Sequence, residues 1–371
     1  MSFTNFAALT SEQLTVWSRD FWQAARNNMF LNRFMGSDQN AMIQRITELK
    51  RTEKGARAVI TLIAELEGDG VAGDRALEGN EEAIQSRDTV INIDQLRHAN
   101  RSEGRMADQK SVVMFRETSR DVLAYWLADR LDQMAFLMLS GKAFSLTNKG
   151  ATRVGSDLVN LEFATVPALT NNRHYIWDAT NYLGSLADSR AESDLTTSDI
   201  ITYRTLIEAK AAAKDNYIRP LRGGEGQELY NVFMTPHTLG KLKMDSEFRE
   251  ALKHAAPRSS DNPLFKGAAS YYIDGLAIYE YRHVFNTRNA SSGSKMGSGG
   301  TVDGERVLLC GAQAMGFADI GDPYWVEKEF DYDNQPGISV GKMVGMLRPQ
   351  FISQVTGTTE DFGSMVISVA H

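Results

Sequence analysis

One cysteine, Cys310, stands in 371 residues. No intrachain disulfide can form, and such usage suits a reducing compartment. Long apolar runs are missing too. None approaches the ~18 uncharged residues that a membrane-crossing helix needs. The N-terminus, MSFTNFAALTSEQLTVWSRDFW, has no basic segment followed by an apolar one, so no secretion signal is expected. Positive charge is in deficit, with a formal net charge of -7. That argues against a chain whose task is to grip nucleic-acid phosphates. It leaves open a container for DNA, whose inner wall needs no tight grip.

Signatures of chemistry are also sparse. The six histidines, at 98, 174, 237, 254, 283 and 371, are dispersed, and none forms an HExxH or a zinc cluster with Cys310. A histidine such as His174, set among aromatics, is more often structural than catalytic. Residues 337–343, GISVGKM, have the wrong spacing for a phosphate loop, and Met343 stands where a hydroxyl would hold magnesium. The glycine run 293–300 has no strand feeding it and no helix after it, so it is no dinucleotide fingerprint. Residues 69–74 lack the alternating oxygens of a calcium loop, and 331–334 begin like one but fail at Pro336. There is no GxSxG. No catalytic, cofactor or metal residue is assigned.

What is present begins with residues 110–140, KSVVMFRETSRDVLAYWLADRLDQMAFLMLS. Apolar residues recur at helical spacing from Val112 to Met138, and Arg116, Glu117, Arg120, Asp121 and Asp132 are read onto the opposite side. Asp108 or Ser111 can cap the start, and Gly141 can end it in the left-handed conformation. Such a rod, roughly 45 Å long at 1.5 Å per residue, must lie across a domain face or line a subunit contact.

Before it, residues 1–46 read as an arm, with a helix over 13–27. Trp17, Phe21, Trp22, Phe30 and Phe34 need a surface to cover, and Arg19, Arg26, Arg33 and Arg45 follow them. The reading preferred here is an arm reaching across a neighbour, over one docked on its own domain. Residues 47–105 then read as a strand, an acidic glycine-rich tip and a returning strand. The tip holds Glu65, Glu67, Asp69, Asp74, Glu78, Glu81 and Glu82 against Arg75 alone. A hairpin this thin has too little core to stand by itself. Its acids are poorly held for acid–base work, and basic residues of the arm and of the long helix, Arg116 and Arg120 among them, offer complementary charge.

Downstream, short strands are read at 158–163 and a loop at TNNRHYIWD. A helix opened by Ser198 and Asp199 is expected to about Lys214, then a buried strand Leu229–Met234 and a helix through Leu239–Leu252. A hairpin turns at Asp274–Gly275. Residues 289–301 read as a mobile surface loop, and strands follow at Arg306–Gly311, Tyr324–Phe330 and Ile338–Leu347.

An arm, a long acidic hairpin, a long helix and a mixed α/β region in this order resemble the major capsid proteins of tailed bacteriophages, with the HK97-like fold. VWSRDFWQAARNNMFLNRFMG, NAMIQRITELKRTEKG and LEGDGVAGDRALEGNEEAI look like the N4-like group. NVFMTPHTLGKLKMD, NPLFKGA, YIDGLAIYEYRHV and LLCGAQAMGFAD follow in the family's order. The resemblance implies an α+β capsid fold with an N-terminal arm (1–46) and an extended loop (47–105). It implies a peripheral domain (106–195 and 325–371) with 110–140 as its spine, and an axial domain (196–324). It also implies pentamers and hexamers forming an icosahedral head shell around double-stranded DNA, assembled in the host cytoplasm. Partners would be identical subunits, portal, scaffolding and decoration proteins, with non-specific proximity to DNA and no membrane. Inter-subunit contacts would fall at Trp17, Arg19, Arg26, Arg33, Glu65, Glu67, Asp69, Asp74, Glu78, Glu81, Glu82, Arg116 and Arg120. Alternatives are an encapsulin-like nanocompartment shell protein and a soluble α/β hydrolase.

Overall fold

The computed structural model describes residues 21–47, 57–63, 70–79, 81, 86–106, 115–180, 182–185, 188–223, 226–255, 270–353 and 357–371. Helix α1 covers 21–28. Short strands β1 (Met35–Gly36) and β2 (Ile43–Ile46) follow, then a hairpin of β3 (Arg57–Ile63) and β4 (Ser86–Asn92), and β5 (Asp94–Arg101). Helix α2 (Phe115–Leu139) precedes β6 (His174–Asp178) and β7 (Tyr182–Ser185). Next come α3 (Tyr203–Asp215), β8 (Leu221–Arg222), β9 (Glu228–Met234), α4 (Pro236–Met244) and α5 (Ser246–Ala255). The chain closes with β10 (Ser270–Ile273), β11 (Leu276–Glu280), β12 (Gly304–Cys310), β13 (Met315–Phe330), β14 (Gln335–Leu347), β15 (Gln350–Ile352), β16 (Thr359–Asp361) and β17 (Ser364–Ala370).

Two sheets carry the fold. The larger runs β10-β11-β9-β12-β17-β6-β7, with β8 on β9. Its central strands are buried on both faces, and every residue of β12 and β17 is buried, the apolar Val307, Leu308, Leu309, Met365, Val366 and Ile367 together with the polar Glu305, Arg306 and Ser368. Alternate residues divide between two cores. Phe233, Leu308, Cys310 and Val366 pack with α2 and the arm. Tyr230, Val232, Met234, Val307, Leu309, Met365 and Ile367 pack with the helices α3, α4 and α5. The smaller sheet runs β1-β2-β13-β14-β5. The pairing therefore places 174–185 and 364–370, expected with the peripheral part, in one sheet with β9 and β12.

Helix α2 is described from Phe115, and the expected caps Asp108 and Ser111 lie outside the described residues. Several other expectations are corrected. Residues 158–163 hold a 3-10 turn, Asp157–Asn160, in place of a strand. HYIWD is strand β6, because its buried Ile176 and Trp177 face different cores. Helix α3 starts at Tyr203. Asp199 instead accepts from Thr196 N–H at 2.7 Å and Ala179 N–H at 3.0 Å, closing a turn. The single helix expected after Pro236 breaks at Asp245, whose carboxylate caps α3 at Tyr203 N–H, 2.7 Å away. Residues 289–301 are pinned by a Met296–Val302 bridge with Met296 buried. The turn at Asp274–Gly275 forms as expected, with φ of 49° and 74°.

Candidate subunit-contact surfaces

The long helix ends as its sequence indicates. Gly141 takes φ 64°, Lys142 N–H reaches Leu137 O at 3.0 Å and Gly141 N–H reaches Met138 O at 3.2 Å, a Schellman close. Two distant arginines complete it. Arg348 Nη1 donates to Leu139 O at 3.2 Å, and Arg306 Nη1 donates to Ser140 O. Cations at a helix C-terminus oppose its dipole. Each is itself neutralised. Asp361 lies 3.0 Å from Arg348 Nε with both side chains fully buried, and Glu192 accepts from Arg306 Nε at 2.6 Å.

Glu192 is also approached by His174 at 3.5 Å and accepts from Ser368 Oγ at 2.9 Å, while His174 Nε2 meets Ser368 Oγ at 2.9 Å. Burial would raise the Glu192 carboxyl, but Arg306, His174 and Lys142 hold it well below the usual carboxylate range. These three residues superficially match a hydrolase triad. Here Ser368 donates straight to the carboxylate and is fully buried, so the arrangement locks a core. Among the described residues no group of three His, Cys, Asp or Glu is placed to hold a metal ion, and no helix is long and apolar enough to cross a membrane.

The described part of the arm docks on its own chain, correcting the reach across a neighbour expected for it. Phe21, Trp22, Ala25 and Met29 enter the main core. Phe30 stacks on Tyr281 at 3.9 Å, and Phe34 meets Phe233 edge-on at 5.1 Å. Asp132 of α2, read onto a polar side, is instead buried. It accepts from Phe30 N–H at 2.8 Å, Leu31 N–H at 3.2 Å and Tyr281 O–H at 2.7 Å. Burial pushes its carboxyl up to about 6 against the pull of those donors. Fully buried Lys342 sits 4.3 Å over the Trp22 ring and pairs with Asp319, which Arg45 also engages. Asp132, Lys342, Arg306 and Arg348 are the residues that the sequence pattern did not reveal, since each looks like an ordinary surface charge.

The hairpin lies partly on this chain. Ala58, Ile60 and Ile91 bury against Ala318 of β13. The approach needs glycine opposite: a Cβ on Gly345 would stand 2.4 Å from Asn92 O, and one on Gly316 would stand 2.7 Å from Ile91 Cδ1. The other face stays open. Val59 and Val90 pair directly and are 48% and 44% exposed. At the tip, Asp74, Glu78 and Glu81 are exposed, and Gly79 N–H donates to Glu81 at 2.7 Å.

Of the proposed contact residues, Trp17, Arg19, Glu65, Glu67, Asp69 and Glu82 lie outside the described residues. Arg26 lies over Trp22 at 5.6 Å and Arg33 over Phe30 at 4.3 Å. Arg116 Nε donates to Glu327 at 2.9 Å, and Arg120 pairs with Asp121. The structure thus brings Arg116 against an acid of its own chain. Exposed Val122 and Tyr125, one turn apart on α2, add an apolar stripe.

A family model described as phage capsid protein matches residues 5–371. The chain belongs to the phage capsid protein family. A major capsid protein of Pseudomonas phage KPP25 is 56% identical over 371 residues, covering 100% of this chain and 98% of that one. The capsid of Ralstonia phage GP4 superposes with a TM-score of 0.72 at 24% identity, covering 92% of this chain and 90% of that chain. Cyanophage Pam1 capsid gives 0.71 at 17% identity, covering 100% and 96%. The fold of this capsid protein is accordingly HK97-like, and the protein is a structural component of the phage head shell. These matches do not support the nanocompartment and hydrolase alternatives.

Proposed function

We propose that this capsid protein builds an icosahedral head of pentamers and hexamers around double-stranded DNA, and that the hairpin 57–92 clamps each subunit to the next. One observation carries the reading. The hairpin is buried on one face by its own chain, while Val59, Val90 and the tip acids Asp74, Glu78 and Glu81 are exposed. A half-covered ribbon gains stability when a neighbour covers the rest. The tip acids, from Glu65 to Glu82, then meet basic side chains of an adjacent arm or long helix. Residues 1–46 serve as the arm and 47–105 as the extended loop. Residues 106–195 with 325–371 form the peripheral part and 196–324 the axial part, with β6, β7 and β17 contributing to the axial sheet. The protein works without enzymatic activity or cofactor, assembles in the host cytoplasm and meets portal, scaffolding and decoration proteins there. Within the family it sits with the N4-like group.

Exposed ion pairs are each worth only ~0–1 kcal/mol, so the test must reverse several charges together. The triple variant Glu78→Lys, Glu81→Lys, Glu82→Lys is expected to fold as a subunit yet yield few closed shells by electron microscopy. Normal shells in normal yield would reject the clamp.

A further inference from the structure

A cavity of about 390 Å³ opens where α4 begins. Its walls include Lys149, His237, Arg282, Arg288 and His371, and no acidic side chain lines it. Arg282 is answered by Asp129 at 2.6 Å. Lys149 and Arg288 are exposed and form no ion pair with a described acid. Glu305 lies behind the wall, fully buried, and already receives Thr235 N–H, both threonine hydroxyls and the His371 ring. The start of α4 is therefore satisfied from within, and the positive groups in front of it are not.

His371 supplies the second, independent observation. Its side chain is 2% exposed, with Nδ1 3.3 Å from Glu305 Oε2 and 3.1 Å from Thr238 Oγ. The opposite ring nitrogen, Nε2, necessarily turns away from Glu305, and it is buried without a hydrogen-bond partner. A buried polar atom left so is costly, and a ligand in the cavity that this residue lines would relieve the cost. The Thr238 hydroxyl spends its hydrogen on Glu305, so Nδ1 is the donor toward that side. Nδ1 is thus occupied by the groups behind, and Nε2 is the ring nitrogen left for a ligand in front.

We propose that this cavity is a phosphate-binding site, in which Lys149, Arg288 and His371 Nε2 hold the oxygens of a phosphoryl group. Guanidinium and ammonium donors suit tetrahedral oxyanions, and the volume lies within the usual range for small-ligand sites. The ligand is free inorganic phosphate or a phosphodiester of a nucleic-acid strand. The site does not depend on the hairpin clamp, because phosphate binding to the subunit can be read whether or not shells close.

The test uses the full chain, with sodium phosphate against sodium chloride at matched ionic strength. Calorimetry and thermal unfolding are read on the native protein, on Lys149→Ala/Arg288→Ala, and on the control Arg249→Ala/Lys253→Ala, which removes equal charge from α5. Phosphate is expected to raise the unfolding temperature above matched chloride, and the first variant to weaken phosphate at least tenfold while unfolding normally in chloride. The control is expected to bind as the native protein does. A random-sequence DNA duplex forms the second arm. Duplex binding lost in the first variant alone assigns the site to a nucleic-acid phosphate, and phosphate binding without duplex binding assigns it to the free ion. Phosphate acting no better than chloride, or equal weakening in both variants, overturns the proposal.

Discussion

Asp132 shows how much one buried acid can organise. Its carboxylate holds two arm amides and the Tyr281 hydroxyl, so the arm is bonded to the long helix through a group that pairs with no cation among the described residues. Its folded pKa of about 6 is raised from the ordinary 3.8. A raised acid favours the fold while protonated. The contribution is fully present below about pH 3.8 and is lost as pH rises through about 6. By linkage it amounts to about 3 kcal/mol. Asp132→Asn keeps an acceptor for the amides and removes the charge. Its unfolding temperature relative to the native protein should therefore rise between pH 4 and pH 7, and a flat difference across that range would contradict the assignment. Arg348→Met tests the opposite kind of site. It leaves Asp361 fully buried without its guanidinium, and a loss of about 3–5 kcal/mol is expected, measured by denaturant unfolding of the subunit.

At the scale of elements, the hairpin depends on glycines in a different strand pair. The neighbour that a Cβ on Gly345 would strike is backbone, Asn92 O at 2.4 Å, and backbone cannot swing aside. On Gly316 the neighbour is the end of the Ile91 side chain, which can rotate. Gly345→Ala should therefore lift the hairpin and expose Arg57–Ile63 amides to hydrogen exchange, with β9 and β12 still protected. Gly316→Ala should perturb exchange much less. The elements themselves were largely legible. The apolar spacing of α2, its Gly141 close and the Asp274–Gly275 turn are local signals. Strand β6 was not, because a strand that borders two cores lacks alternation, and the break at Asp245 was not, because its reason is a bond to Tyr203 in another helix.

For the whole molecule, the exposed features are the informative ones. A capsid subunit makes several large contacts, and permanent interfaces bury about 2,000–5,000 Å². Val59, Val90, Val122 and Tyr125 are apolar residues left open in the subunit. Val59→Lys with Val90→Lys should leave the unfolding temperature within about 2 °C, since surface changes cost little, while shells become rare by electron microscopy. A subunit that still assembles fully would remove the outer hairpin face from the interface.

The order of arm, acidic hairpin, long helix and mixed sheet follows from local chemistry, because periodicity, glycine and charge runs act over a few residues. Which charges are buried does not. Asp132 meets its amide partners 101 and 102 positions away, and Arg348 reaches a helix end 209 positions away. Such a residue has the same local pattern whether it faces water or a distant carbonyl. The side of the chain against which the arm lies was likewise settled only by packing, since aromatics demand cover but do not specify whose surface provides it.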